Sequence, residues 1–175
     1  IQQKGFLLKS WFDFKINTTD DLYKFHYSYS DNLKKFLESK HYFNEPISWF
    51  SGQDLHSKVP VPDNCLQTTI KIATPWYVEI PKNWNLYIGP VPYSDNTNFS
   101  STQGILEGPG FYEINPILQW HSLNSDVEVK AGTDLCWMIP FQTDSFDFSI
   151  GRLDAKAIQK RDQFHYNISH KFTRY

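Results

Sequence analysis

The chain has 175 residues, a size at which one domain can bury a core without disulfide or metal staples. Formal net charge is −2 and the sequence pI is about 6.3, so no global charge draws the chain to nucleic acid or to an anionic membrane. Nothing at the start reads as a secretory signal and no apolar stretch approaches the roughly 18–20 residues of a membrane span, which points to a soluble protein.

Aromatic residues make up 17% of the chain, and rings at that density suit pleated, half-buried surfaces. They serve either as a ring-packed core or as a platform for sugars, bases or peptides. Along the chain, residues 5–16 begin as an apolar run and end in alternation. Trp11, Asp13 and Lys15 fall on one side, and Phe12, Phe14 and Ile16 on the other, as a strand requires. Leu22 to Tyr29 reads the same way. A short helix follows, capped by Ser30 or Asp31, with Leu33, Phe36 and Leu37 on one face. Residues 44–64 carry Pro46, Gly52, Pro60 and Pro62 and are predicted to be irregular connection.

From Leu66 onward short apolar runs alternate with Gly and Pro. The runs are Leu66–Ile72, Trp76–Ile80, Trp84–Val91, Gly104–Leu106, Tyr112–Gln119, Val127–Lys130 and Leu135–Phe141. The pattern predicts a mainly β fold, as a β-sandwich, a β-clip or a jelly-roll-like barrel. A second helix is expected from Leu153 to Phe164, with Leu153, Ala157 and Ile158 on its apolar side. The expected organisation is a single domain over 1–175: a β-rich core at about 66–150, an N-terminal elaboration at 1–65, and a basic helix or tail at 151–175. That last segment carries six Lys and Arg against two Asp and is suited either to solvent or to an acidic partner.

Chemistry-bearing motifs are sparse. Cys65 and Cys136 are the only cysteines; one disulfide is arithmetically allowed, and the apolar run around Cys136 suggests a buried thiol. The six histidines form no HxH or HExxH set, although His121, followed by Asp126 and Glu128, lies where jelly-roll metal ligands would lie. There is no nucleophile elbow, Walker loop or dinucleotide fingerprint, so no cofactor is expected. The segment Gly104-Ile-Leu-Glu-Gly-Pro-Gly110 reads as a type II turn, with Pro109 fixing one φ and Gly110 supplying a positive one. Glu107 there could orient a water or a sugar hydroxyl, or be a solvated turn acid.

Residues 84–141 resemble the dUTP nucleotidohydrolase and dCTP deaminase type of β-clip protein. The resemblance rests on Pro92-Tyr-Ser94, on Gly104-Ile-Leu-Glu107 with Phe111, on Gln119-Trp-His-Ser122, and on Val129-Lys-Ala-Gly132-Thr-Asp-Leu135-Cys-Trp-Met-Ile139. It implies a fold. The catalytic set departs from that family: Tyr93 stands where an Arg precedes the Ser, and Pro109-Gly110-Phe111 replaces the Asp-Tyr pair. Triphosphate recognition needs donors and positive charge that these positions do not supply. The chain also resembles an uncharacterised β-rich family of tailed phages, marine ones included. That likeness rests on Trp76-Tyr-Val-Glu-Ile-Pro-Lys-Asn-Trp-Asn-Leu86, on Gly104-Ile-Leu-Glu107, and on Gly132-Thr-Asp-Leu-Cys-Trp-Met-Ile-Pro-Phe-Gln142. It implies a viral setting, in an infected host's cytoplasm or in the virion.

Two functions fit these readings. One is a non-enzymatic binding or assembly module. It would form a homo-oligomer or meet a protein partner through exposed rings such as Trp76, Tyr87 or Trp120, or through the basic segment. The other is a β-clip or jelly-roll binder or enzyme for a nucleotide or sugar, with a site drawn from Ser94, Glu107, Tyr112, Trp120 and His121.

Overall fold

Alternation of inward and outward side chains turns most of the described sequence into short antiparallel strands. The computed structural model describes residues 5–39, 45–50 and 61–143, together with residues 155, 156, 159 and 163. The first strands are β1 (Phe6–Lys9), β2 (Phe14–Thr18) and β3 (Phe25–Tyr29), followed by helix α1 (Asp31–Ser39) and β4 (Ile47–Phe50). The middle holds β5 (Thr69–Ile72), β6 (Tyr77–Ile80), β7 (Trp84–Gly89), β8 (Phe99–Ser101) and β9 (Gly104–Glu107). The last are β10 (Gly110–Glu113), β11 (Ile117–Trp120), β12 (Ser125–Val129) and β13 (Asp134–Gln142). The fold is mainly β, as the sequence predicts. The sheets run β1-β13-β7-β9, β10-β6, β4-β5-β11-β8 and β12-β2-β3, and none closes into a barrel among the described residues.

Two hydrophobic cores hold the sheets together. The first gathers Phe14 and Ile16 of β2 and Ile70 and Ile72 of β5 with Phe99 of β8. Leu118 and Trp120 of β11 and Leu135 belong to it too, with Phe12, Ile47, Leu66 and Val129. It lies between the β12-β2-β3 and β4-β5-β11-β8 sheets. The second gathers Leu8, Ile80, Leu86, Cys136 and Met138, with Val78 and Tyr112 against it. It lies between the β1-β13-β7-β9 sheet and the β6–β10 pair. Burying ring and aliphatic side chains of this size contributes roughly 1.5–3 kcal/mol each before entropy is counted.

Residues 5–16 are not one strand. Ser10 Oγ donates to the Phe12 carbonyl at 2.6 Å in a bend that separates β1 from β2. Beyond it the expected alternation holds, with Phe12, Phe14 and Ile16 buried and Asp13 and Lys15 exposed. Through β1 on β13 and β2 on β12, part of the N-terminal third is built into the same sheets as the later strands. The region expected to be irregular contains β4, which among the described residues pairs with β5 alone at the sheet edge and starts after Pro46, a placement that tolerates proline. Residues 51–60 lie outside the described set.

The run 112–119 is cut by Asn115 and Pro116 into β10 and β11. Pro140 falls inside β13 instead of ending it; past Met138 only β7 pairs with that strand, so the donorless nitrogen can face the open side. Ser30 is the helix cap: its Oγ accepts from the Leu33 amide at 3.3 Å. Residues Ile1–Thr143 form one compact unit and Asp144–Tyr175 a second. In the second, residues 155, 156, 159 and 163 are helical and exposed, within the span where a helix is expected.

Candidate functional site

The sequence-derived candidates fall into separate places. Tyr112 is half-buried against the second core and its hydroxyl donates to the main-chain oxygen of Glu107 at 2.7 Å, which ties β10 back to β9. The Glu107 carboxylate is exposed at the end of β9. The turn between them is not the expected type II turn: the Gly108–Pro109 peptide bond is cis, and Gly110 has no positive φ. Trp120 is fully buried, its ring stacked on Phe99 at 5.3 Å, so it is a core residue and not a contact surface. Glu107 ends β9 and His121 follows β11, a strand of another sheet, and the two share no hydrogen-bond partner among the described residues.

Ser94 and His121 fare differently, because the segment between β7 and β8 connects them. Val91, Pro92, Tyr93 and Ser94 make a turn in which Tyr93 has φ +57°. The second corner of such a turn ordinarily carries Gly or Asn, since a bulky side chain in the left-handed region is strained. Yet Tyr93 is 92% exposed, so no packing of its ring accounts for the choice. Beyond it the segment is laced to itself and to β11. The Asn96 amide donates to Ser94 Oγ at 3.1 Å and the Asn98 amide to Asn96 Oδ1 at 3.0 Å. The His121 amide donates to the Asn98 carbonyl at 2.8 Å, and Ser122 Oγ to Asn98 Oδ1 at 2.7 Å.

This segment and the start of β13 enclose two adjoining cavities. The larger, about 300 Å³, is lined by Leu7, Val91, Pro92, Tyr93, Ser94, Asp95, Asp134 and Trp137. The smaller, about 190 Å³, is lined by Phe99, Ser100, Ser101 and Leu135 among others, and shares Val91, Ser94 and Asp134 with the first. Together they form one groove that runs from Tyr93 and Trp137 to Ser100. Among the described residues, neither cavity has a Lys or Arg in its lining. Asp134 is held by Lys9, whose Nζ approaches Oδ1 at 2.6 Å.

Behind Ser100 stands His121. Ser100 Oγ lies 2.8 Å from His121 Nε2, and His121 Nδ1 lies 3.1 Å from Cys65 Sγ. Burial lowers the His121 pKa below its usual value and raises that of the Cys65 thiol, so the ring and the thiol are both neutral at pH 7. Asp126 and Glu128 do not join His121. They are exposed on β12, where Glu128 pairs with Lys130 at 2.7 Å. No group of three or more His, Cys, Asp or Glu among the described residues could hold a metal ion. Cys65 and Cys136 are both free and buried.

Sequence reasoning named Ser94 and His121 but missed Tyr93, Ser100, Asp134 and Cys65. The Pro-Tyr-Ser turn lacking Gly was a legible sign for Tyr93. Cys65 and His121 are 56 residues apart and carry no local signal. A third cavity, about 210 Å³ and lined mainly by Trp11, Phe36, Leu37, Pro46, Ala73 and Pro75, lies beside α1; Glu113 is its one charged lining residue among the described residues. Comparison with protein families and with curated proteins finds no match for the chain.

Proposed function

We propose that the protein is a binding module whose groove between the 91–101 segment and β13 takes a neutral saccharide. The observation that carries this reading is Tyr93, an almost fully exposed ring kept in a strained backbone conformation at the mouth of that groove. A sugar presents an apolar C–H face that packs on a ring and hydroxyls that need fixed polar partners. Tyr93 and Trp137 supply rings, and Ser94, Asp95 and Asp134 supply acceptors and a hydroxyl. The lining, cation-free among the described residues, favours a sugar over a nucleotide, whose phosphates require positive charge. Calorimetric titration with neutral mono- and oligosaccharides tests the reading. One sugar class is expected to bind, with affinity reduced at least about tenfold by Tyr93→Ala.

Self-assembly is a second reading. Tyr77 and Phe111 stack on the outer face of the β6–β10 pair, with ring centroids 5.3 Å apart and planes 8° from parallel. Both are more than half exposed, and Trp76 beside them is 50% exposed. Exposed rings grouped in this way suit a subunit contact. A concentration-dependent oligomer that Phe111→Ser dissociates would support it. The resemblance to a tailed-phage family supports placing such a module in a virion or in an infected host.

A further inference from the structure

We infer that Ser100 and His121 form a nucleophile–base pair that transfers an acyl group from a short-chain ester of a polyhydroxylated alcohol bound in the groove. The inference rests on the saccharide reading only for the identity of the alcohol. Three observations support it independently.

The first is the hydrogen-bonded chain. A nucleophilic hydroxyl needs a base within reach, and the base needs a third group to orient it. Here Ser100 Oγ, His121 and Cys65 Sγ stand in series at 2.8 and 3.1 Å. The Cys65 thiol has Asn64 Oδ1 as an acceptor at 3.8 Å. With the thiol proton directed there, Sγ accepts from Nδ1–H and Nε2 is left to accept the Ser100 proton. Burial keeps the imidazole in the neutral form that a base requires. Cys65 acts through His121 and is a positioning residue.

The second is access. Ser100 lines the smaller cavity, whose walls include Pro90, Val91, Phe99 and Leu135 and suit a short acyl chain. The adjoining cavity toward Tyr93 has room for the alcohol. The third is a donor beside the nucleophile. Among the described residues β8 is an edge strand, bonded to β11 alone. The Thr102 amide donates to Ile117 and the His121 amide to Asn98, so the even positions of β8 face β11 and the Ser101 N–H points off the free edge. Ser101 is also among the residues that line this cavity, while its side chain turns to the buried face of β8 with Phe99. The Ser101 N–H, one residue from the nucleophile, is placed to receive a developing oxyanion.

In the first step Ser100 Oγ bonds to the carbonyl carbon and its proton passes to His121 Nε2. The ester C–O bond then breaks and the alcohol leaves with that proton, giving acyl-Ser100. Water next bonds to the acyl carbon and gives a proton to Nε2. The Oγ–C bond breaks, Oγ regains the proton, and the carboxylic acid leaves. One ester and one water yield one acid and one alcohol.

The test treats the full chain with a fluorophosphonate and maps the adduct by mass spectrometry, with turnover of 4-nitrophenyl acetate measured beside it. The expected result is a single adduct on Ser100 that Ser100→Ala removes. His121→Gln is expected to slow labelling and turnover by about 100-fold or more, and turnover should rise with pH through an inflection below about 6.5. No adduct, an adduct on Cys65 instead, or labelling unchanged by His121→Gln would overturn the inference. Saccharide titration of the same preparation separates the two readings: an adduct without sugar binding removes the sugar alone, and sugar binding without an adduct removes acyl transfer alone.

Discussion

Leu135 and Cys136 are neighbours in the chain and lie in different hydrophobic cores, Leu135 1% and Cys136 0% exposed. Opposite faces of one strand explain this, since successive side chains on a strand point opposite ways. β13 is therefore a wall common to both cores. It is also the wall of the groove, through Asp134, Leu135 and Trp137. Leu135→Ala is expected to destabilise the chain by about 2–5 kcal/mol. Urea unfolding measures it.

The Cys136 thiol is pushed up by burial to about 12 from an ordinary 9.0. A raised folded-state value means that the unfolded chain ionises first. The stabilising contribution is full below pH 9 and is lost as pH rises toward 12, by about 4 kcal/mol in all. Cys136→Ala should flatten the alkaline limb of the stability profile between pH 9 and 11, as read by chemical denaturation at each pH.

His121 shifts the other way. Burial holds its imidazole below the usual value, so the folded state resists protonation. Its contribution is full above the unfolded-state pKa near 6.5 and is lost as pH falls through the lower folded value. A ring-proton NMR titration is expected to place the His121 midpoint below the usual imidazole value near 6.5, and Tm should fall between pH 7 and 5 by less in His121→Gln.

Tyr93 separates stability from binding. A left-handed conformation costs a non-glycine residue roughly 1–2 kcal/mol, against roughly 0.5–1 kcal/mol of added chain entropy for glycine. Tyr93→Gly should therefore leave Tm unchanged or raise it, while saccharide affinity falls. Thermal melts with and without sugar measure both in one series.

Much of the fold was legible in residue order. Alternation placed Phe12, Phe14 and Ile16 inward, and the cap at Ser30 started α1 as its side chain allows. The same alternation puts Trp120 on the inward face with Leu118, although an aromatic beside His121 invited a functional reading. β4 and β8 were missed for opposite reasons. β4 follows a proline in a Gly/Pro-rich stretch, and β8, with the sequence Phe-Ser-Ser, is too short and polar to show a period. Among the described residues both are edge strands, where pairing with a neighbour outweighs local preference. The groove was half legible. Ser94 belongs to a recognisable turn. Ser100 meets His121, and His121 meets Cys65, only because β8, β11 and the segment before β5 are brought side by side, which no local spacing encodes.

The groove as the binding site is tested most directly by following backbone amide resonances of the labelled full chain during titration with a neutral saccharide. Saturable shifts are expected at residues 91–101 and 134–137, with the largest at Tyr93, Ser94 and Trp137. Saccharide shifts confined to the Tyr77–Phe111 face or to the cavity beside α1, or none at all across a full panel of sugars, would contradict it.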